Sequence, residues 1–348
     1  MKLSRQLLAI DIGHGTQDIL LYEPGREEEN NPQLVLPSPS AVWTKRLRLV
    51  NADLFIYGDT IGGGDIGWLL KRHMEKGHRV YMTEEAARTI RDDVSRVREM
   101  GVEVVDTKPS GFAGKEVELA EVDIPFITNI LQPLGEGERM AVVAIAVQDH
   151  GSSPHGESDR LFRFSCFRQI LEEKKGFAGF MYLSNEIPPY FHRMLSAARR
   201  ARRHGARQIM LMDTAMSAIM GAKSDNPEPQ LVANIGNGHT IIALVIQGEI
   251  QGLLEHHTSL LTPKKLEDYM IRFPQAEVSN EEVYNDGGHG AFLLTKPPAH
   301  VTIAVTGPKR NLMRETALVY DLPAPGGNMM LTGPWGLVAG AKIRGLIS

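Results

Sequence analysis

A glycine turn between two apolar strands occurs twice in this chain, near its start and again beyond residue 230. The first copy reads Leu8-Ala9-Ile10-Asp11-Ile12-Gly13-His14-Gly15-Thr16, and the second reads Val232-Ala233-Asn234-Ile235-Gly236-Asn237-Gly238-His239-Thr240. Strand, glycine turn and strand in succession read as hairpins. A repeat at this separation implies two related lobes, each bringing one glycine turn to a shared cleft. The chain has 348 residues, enough for two hydrophobic cores. The division expected is an N-terminal lobe over 1–223, carrying inserted αβ units, and a C-terminal lobe over 224–348 whose last helix returns to the first lobe. Ser224–Pro229, rich in charge and proline, is the linker candidate.

Between the turns, apolar runs alternate with helical stretches. Leu54–Tyr57, Arg79–Met82 and Val102–Val105 read as strands, with helices over Asp65–Glu75 and Glu84–Met100 ended by Gly77 and Gly101. That alternation predicts a parallel sheet. Met140–Val147 is apolar enough for burial on both faces. A helix over Pro189–His204 precedes the strand Gln208–Met212, and Glu27–Pro39 reads as a polar surface excursion.

Composition narrows the partners. The net charge of −4 gives no global reason to expect nucleic acid or an anionic membrane. No apolar run approaches the ~20 residues that span a bilayer, and Met1–Gln6 leaves no room for a signal peptide before the first strand. Cys166 is the one cysteine, so no internal disulfide forms and a cytoplasmic location is expected. A site-differentiated iron–sulfur cluster needs three cysteine ligands from the chain, and this chain has one.

Glycine turns let backbone N–H groups approach phosphate oxygens with no Cβ in the way, and successive N–H groups form an anion nest. Asp11, Gly13, Gly15 and Thr16 combine such a turn with a hydroxyl donor and a carboxylate suited to hydrated Mg²⁺. Gly236, Gly238 and Thr240 supply most of the same parts. The alternative for either turn is an ordinary hairpin whose glycines only satisfy positive φ.

Further segments follow in order: Asp213-Thr214-Ala215-Met216-Ser217-Ala218-Ile219-Met220-Gly221 before the second turn, then Val305-Thr306-Gly307, then Gly336-Leu337-Val338-Ala339-Gly340-Ala341. This series resembles the actin, hexokinase and heat-shock-ATPase superfamily, whose members carry, in chain order, a first phosphate motif, a small-residue connecting helix, a second phosphate motif, an adenosine motif and a second connecting helix. The resemblance spans almost the whole chain. It implies an α/β, two-lobed actin-like ATPase fold of ribonuclease H-like topology, with ATP and Mg²⁺ in a cleft between the lobes. It places Gly13, His14, Gly15, Thr16, Gly236, Asn237, Gly238, His239 and Thr240 around the phosphates, Gly307 at the adenosine and Asp11 at the metal. It also implies that Asp213 orients the nucleophile, although Asp before Thr-Ala-Met is equally a helix N-cap. Two departures stand out: Asn234 replaces the acid usual in the second motif, and Pro308 replaces a glycine and removes a backbone donor. The chain also resembles a prokaryotic family labelled as pyruvate formate-lyase activating enzymes. Radical chemistry on a cysteine-bound cluster is contradicted by the single cysteine.

His14, His150, His155, His239 and His289 all lie beside glycine in predicted cleft loops, and His256-His257 follow the second lobe's hairpin. Imidazole binds transition metals or orients phosphate. Asp149-His150-Gly151 is the best placed, because strand C-termini in parallel sheets face the ligand crevice. Gly62, Gly64 and Gly67 fit a dinucleotide fingerprint in spacing, but four residues separate them from their strand, so a substrate-binding loop is the better reading. Three functions remain: an ATP-dependent phosphotransferase or ATPase acting on a small-molecule or protein acceptor; a metal-dependent enzyme using Asp149, His150 and the other cleft histidines; and a non-catalytic nucleotide sensor or activator. A homo-oligomer is compatible with all three.

Overall fold

Two of the three sheets share one strand plan, as the repeated hairpin predicts. The computed structural model describes residues 6–137, 140–153, 158–173, 176–224, 229–297 and 300–348. The strands run β1 (Gln6–Ile12), β2 (Thr16–Tyr22), β3 (Gln33–Pro37), β4 (Leu54–Gly58), β5 (Val80–Met82), β6 (Glu103–Val104), β7 (Lys115–Leu119) and β8 (Met140–Val147). They continue with β9 (Met181–Leu183), β10 (Gln208–Met212), β11 (Gln230–Ile235), β12 (His239–Ile246), β13 (Glu249–His257), β14 (Gly290–Leu293) and β15 (Thr302–Thr306). The first sheet has the order β3-β2-β1-β8-β10-β9, and the second β14-β13-β12-β11-β15. In the first, an antiparallel β1–β2–β3 meander meets β8 in parallel. In the second, β11–β12–β13 meets β15 in parallel. This duplicated meander-plus-parallel-strand plan is the two-lobed actin-like fold.

The third sheet, β6-β5-β4-β7, is wholly parallel and belongs to the insertion between β3 and β8. β4, β5, β6 and the Ile66–Glu75 helix fall where the alternating pattern put them, β7 adds a strand that the pattern did not show, and Leu54, Ile56, Leu70, Val80 and Met82 form the sheet's own core. The single helix expected over 84–100 is two, Glu84–Ala87 and Val94–Glu99, each opened by its own N-cap, Thr83 and Asp93. β3 falls within the stretch read as a polar excursion. Its Gln-Leu-Val-Leu-Pro sequence pairs with β2 on one side only, which suits an edge strand ending in proline.

Two helices tie the lobes together. Thr214–Ala222 leaves β10, and Thr332–Ile343 closes the chain; the two cross on their glycines. A Cβ added at Gly221 would overlap Thr332 O and stand 2.8 Å from the Thr332 carbonyl carbon. One added at Gly336 would overlap Ser217 O and stand 2.7 Å from the Ser217 carbonyl carbon. Leu331, Leu337, Val338 and Ala341 join a core cluster that draws on both sheets, from Leu7 and Ala144 to Val232 and Leu253.

The crossing yields a stability test. Gly336→Ala should lose about 2–3 kcal/mol by overpacking against rigid backbone, although alanine is the better helix former. Gly340→Ala, in the same helix, meets only the flexible ends of Met210 and Met181, the nearest at 3.2 Å. Its cost should stay within about 1 kcal/mol. Urea denaturation of the two variants reads the difference.

Candidate functional site

The two glycine turns have the same internal geometry. Gly13 N donates to Thr16 O at 2.9 Å, and Gly236 N donates to His239 O at 2.9 Å. Gly15 O accepts from Ser38 N, and Gly238 O accepts from Thr258 N. The turns meet across a cleft of about 590 Å³, where a Cβ on Gly15 would lie 2.9 Å from Asn237 Nδ2. Around this cleft stand Asp11, Gly13, His14, Gly15, Thr16, Asp149, His150, Gly236, Asn237, Gly238, His239 and Gly307. The loop Gly62–Gly64 of the insertion forms part of its wall.

None of Gly13, Gly15, Gly236 and Gly238 has a positive φ, so the conformational reason for glycine does not hold in these turns. Close approach is the reason instead at Gly15 and at Gly236, whose Cβ would lie 2.7 Å from His239 O. A Cβ on Gly238 would meet open space. Gly307 needs glycine on both counts: its φ is +99°, and a Cβ would lie 2.6 Å from the Ile235 carbonyl carbon.

The matched geometry also corrects Thr240. Its place in the turn corresponds to Gln17, and that of His239 to Thr16. Thr240 is fully buried, its hydroxyl 2.9 Å from that of Thr258 and away from the cleft lining.

Asp11 sits where two helices begin. Thr214 Oγ1 donates to its Oδ1 at 2.5 Å. Gly333, in the first turn of the C-terminal helix, would place a side chain onto its carboxylate. Asp18, which the sequence reading passed over, is the cross-strand partner of Asp11. Its Oδ1 is buried with no hydrogen-bond partner among the described residues. Burial raises the Asp11 carboxyl to about 7, against the lowering effect of the Thr214 hydroxyl. Burial and the Asp11 charge raise Asp18 to about 8. The signal lay in hairpin register: in a turn closed between 13 and 16, positions 11 and 18 face each other. In the second lobe the facing pair is Asn234 and Ile241, so that lobe has neither acid. The first hairpin therefore carries two carboxyl groups, Asp11 and Asp18, and the second carries none at the matching positions.

Asp213 has a different place from the one expected of a base. Arg163, only 1% exposed, donates from Nη1 to Asp213 Oδ2 at 2.6 Å and from Nη2 to Oδ1 at 3.1 Å. Ala215 N also donates to Oδ1, which makes Asp213 the helix N-cap. With both oxygens engaged and the side chain off the cleft lining, Asp213 is a buried ion-pair partner. Arg163 continues to Glu255 of the second sheet, Nε to Oε1 at 3.2 Å, so one guanidinium joins both lobes.

Asp149 is likewise committed. Its Oδ1 accepts from Gly151 N and its Oδ2 from Met194 N, both at 3.0 Å, and burial raises its carboxyl. Each oxygen thus already accepts one backbone donor, so Asp149 ties the Gly151 turn to the start of the His192–Arg203 helix.

His150 comes together with His239 and His289, with ring centroids 5.7 Å, 5.9 Å and 4.9 Å apart. Burial lowers all three, His150 well below its ordinary value and His239 and His289 to about 2, so the cluster is neutral at pH 7. His14 lines the cleft from its exposed rim. His155 lies outside the described residues.

Residues 61–312 match the family described as "Putative pyruvate format-lyase activating enzyme (DUF1786)", and the chain belongs to that family. No curated protein matches it. Among solved structures it is similar to the ethanolamine utilization protein EutJ from Carboxydothermus hydrogenoformans, at 12% identity and a TM-score of 0.32 over 95% of this chain and 88% of that one. It is similar to a Bacteroides thetaiotaomicron protein of actin-like ATPase fold, at 9% identity and a TM-score of 0.35 over 96% of each chain. It is also similar to MreB5 of Spiroplasma citri bound to ADP, at 12% identity and a TM-score of 0.35 over 98% of each. At these scores the fold assignment rests on the chain's own duplicated strand plan. No helix among the described residues is long and apolar enough to cross a membrane.

Two tests follow from the buried acids. Asp213→Asn breaks a buried charge pair and should cost about 3–5 kcal/mol in denaturant unfolding. Asp11 and Asp18 keep protons in the folded state that the unfolded chain gives up above its ordinary 3.8. Their contribution is therefore favourable at low pH and is lost as pH rises from about 4 through 8. The stability of wild type relative to Asp18→Asn should fall over that range in melts without divalent metal.

Proposed function

We propose that the cleft binds a nucleoside triphosphate with Mg²⁺ and transfers or hydrolyses its terminal phosphate. The carrying observation is that two turns of one geometry face each other across one cleft, with Asp11 and Asp18 buried beside the first. Backbone N–H groups of the two turns would hold phosphate oxygens from opposite sides, and the N-termini of the Thr214 and Thr332 helices add their positive ends.

The donor set suits Mg²⁺. Asp11 and Asp18 are hard oxygen ligands, and the unpartnered Asp18 Oδ1 is a buried acceptor that a cation or its water would satisfy. Bound there, Mg²⁺ would neutralise charge on the terminal phosphates. Thr214 fixes the Asp11 carboxylate through its hydroxyl. Arg163 fixes Asp213 and so the start of that helix. In this reading Asp213 is a positioning residue, holding the helix whose Thr214 orients Asp11. The Gly62–Gly64 loop is part of the cleft wall, and in this reading it would meet the acceptor. The acceptor is a small molecule or a protein; with water as acceptor the same site is an ATPase. If nucleotide is bound but not turned over, the site serves as a sensor that reports to a partner.

Two variants test the reading. Gly238→Val fills space that is open in the free protein, so it should fold with an unchanged melting temperature. If phosphate occupies that space, calorimetry should show ATP affinity lowered at least tenfold, about 1.4 kcal/mol. Unchanged affinity would mean that the turn is only a hairpin. Asp18→Asn should remove the Mg²⁺ dependence of ATP binding while leaving metal-free binding within about threefold.

A further inference from the structure

The second lobe's turn has lost its acids, but it carries a different group of ligands. One ring nitrogen from each of His150, His239 and His289 lies within 4.8 Å of the others. His239 Nε2 and both nitrogens of His289 are buried without a hydrogen-bond partner among the described residues. Buried polar atoms are nearly always paired, so unpaired nitrogens converging on one point suggest a ligand that pairs them. Three nitrogens at that spacing lie about 2.8 Å or less from a common centre. Movements of under about 1 Å would bring them to the ~2.1 Å of a metal–imidazole bond.

We propose that His150, His239 and His289 bind one late first-row divalent cation of the Zn²⁺ class, in a site separate from the oxygen ligands Asp11 and Asp18. Three imidazoles with no carboxylate among them select such a metal over Mg²⁺ or Ca²⁺. Three protein ligands leave a fourth position for water or an oxyanion. That position faces the cleft, because His150 and His239 line it while His289 lies fully buried behind them. Gln148 provides the orienting contact, its Nε2 lying 2.9 Å from His239 Nδ1. Carboxamide N and O exchange places by a half-turn. With Oε1 toward the ring, Nδ1–H donates to it and the Nε2 lone pair faces the cluster, the arrangement expected of a metal-bound histidine.

The site joins the lobes. His150 follows β8 of the first sheet, while His239 opens β12 and His289 precedes β14 of the second. A metal here would clamp the cleft walls beside the glycine turns, independently of nucleotide.

The test uses the full-length, chelator-treated protein without nucleotide, titrated with Co²⁺ and followed by visible absorption. Expected are ligand-field bands of four- or five-coordinate Co²⁺ that saturate at one equivalent, and their loss when Zn²⁺ is added. His150→Gln, on the accessible side of the cluster, and His289→Gln should each weaken Co²⁺ at least about 100-fold. His257→Gln, beside the triad but not part of it, should leave binding within threefold. Far-UV circular dichroism confirms that each variant is folded. Should His289→Gln unfold, His150→Gln alone decides. The proposal is overturned if Co²⁺ gives only the weak spectrum of the hexaaqua ion, or if folded His150→Gln binds as tightly as wild type.

Discussion

The close crossing of the Thr214–Ala222 and Thr332–Ile343 helices is the constraint from which the cleft takes its shape. Backbone meets backbone where Gly221 faces Thr332 and Gly336 faces Ser217, and no side chain separates them. At that distance the two helix N-termini are brought to one place, and Asp11 is there. One helix supplies the Thr214 hydroxyl and the other passes Gly333 over the carboxylate. The burial that raises the Asp11 pKa thus follows from the crossing. A wider crossing would admit water and leave an ordinary exposed aspartate.

Arg163 extends this constraint to the relation between the lobes. It is among the largest fully buried side chains, and its charge is met by Asp213 of the first lobe and Glu255 of the second. Both carboxylates lose their partner if the guanidinium leaves, and unpaired buried charge is costly. The helix that carries Arg163, Asp159–Glu172, packs Phe164 against Phe292, at 5.3 Å between centroids, and sends Arg160 to the carbonyls of Gly287 and Gly288. This side of the cleft is therefore a built joint. Movement between the lobes, where it occurs, has to turn about it.

The fold was legible because its signals are local and repeated. Glycine turns between apolar strands, small-residue helices and alternating strand–helix runs each reflect backbone needs that show in composition. The place of the site was legible as far as the backbone carries it: both turns, Gly307 and Asp11 line one cleft. Side-chain roles were less so. Asp149 read as a free carboxylate at a strand end and Asp213 as either a base or a helix N-cap; Asp213 is the N-cap, and both are held by donors far away in sequence, Met194 N for Asp149 and Arg163 for Asp213. Thr240 matched a motif by letter, but alternation in β12 turns it to the opposite face from His239. Asp18 was missed because its importance depends on register, which a single strand does not display. The histidine cluster was visible as a surplus of imidazoles beside glycine, but its membership depended on how the lobes close.

The duplicated lobes have diverged at the positions that face the cleft. Asp11 and Asp18 in the first hairpin correspond to Asn234 and Ile241 in the second, and Thr16 corresponds to His239. One wall thus carries buried carboxylates with raised pKa, and the other carries neutral imidazoles with lowered pKa. Hard oxygen donors on one side and nitrogen donors on the other suit different cations. Had the second lobe kept both acids, four carboxylates would face one small cleft, and their mutual repulsion would hold several protonated at pH 7. With Asn234 and Ile241 in those places, the carboxylate that the second lobe brings to the cleft lining is Glu255, whose charge Arg163 meets. In the proposed reading a polyphosphate would lie along the opposite wall, against N–H groups, uncharged rings and a carboxylate already paired with Arg163.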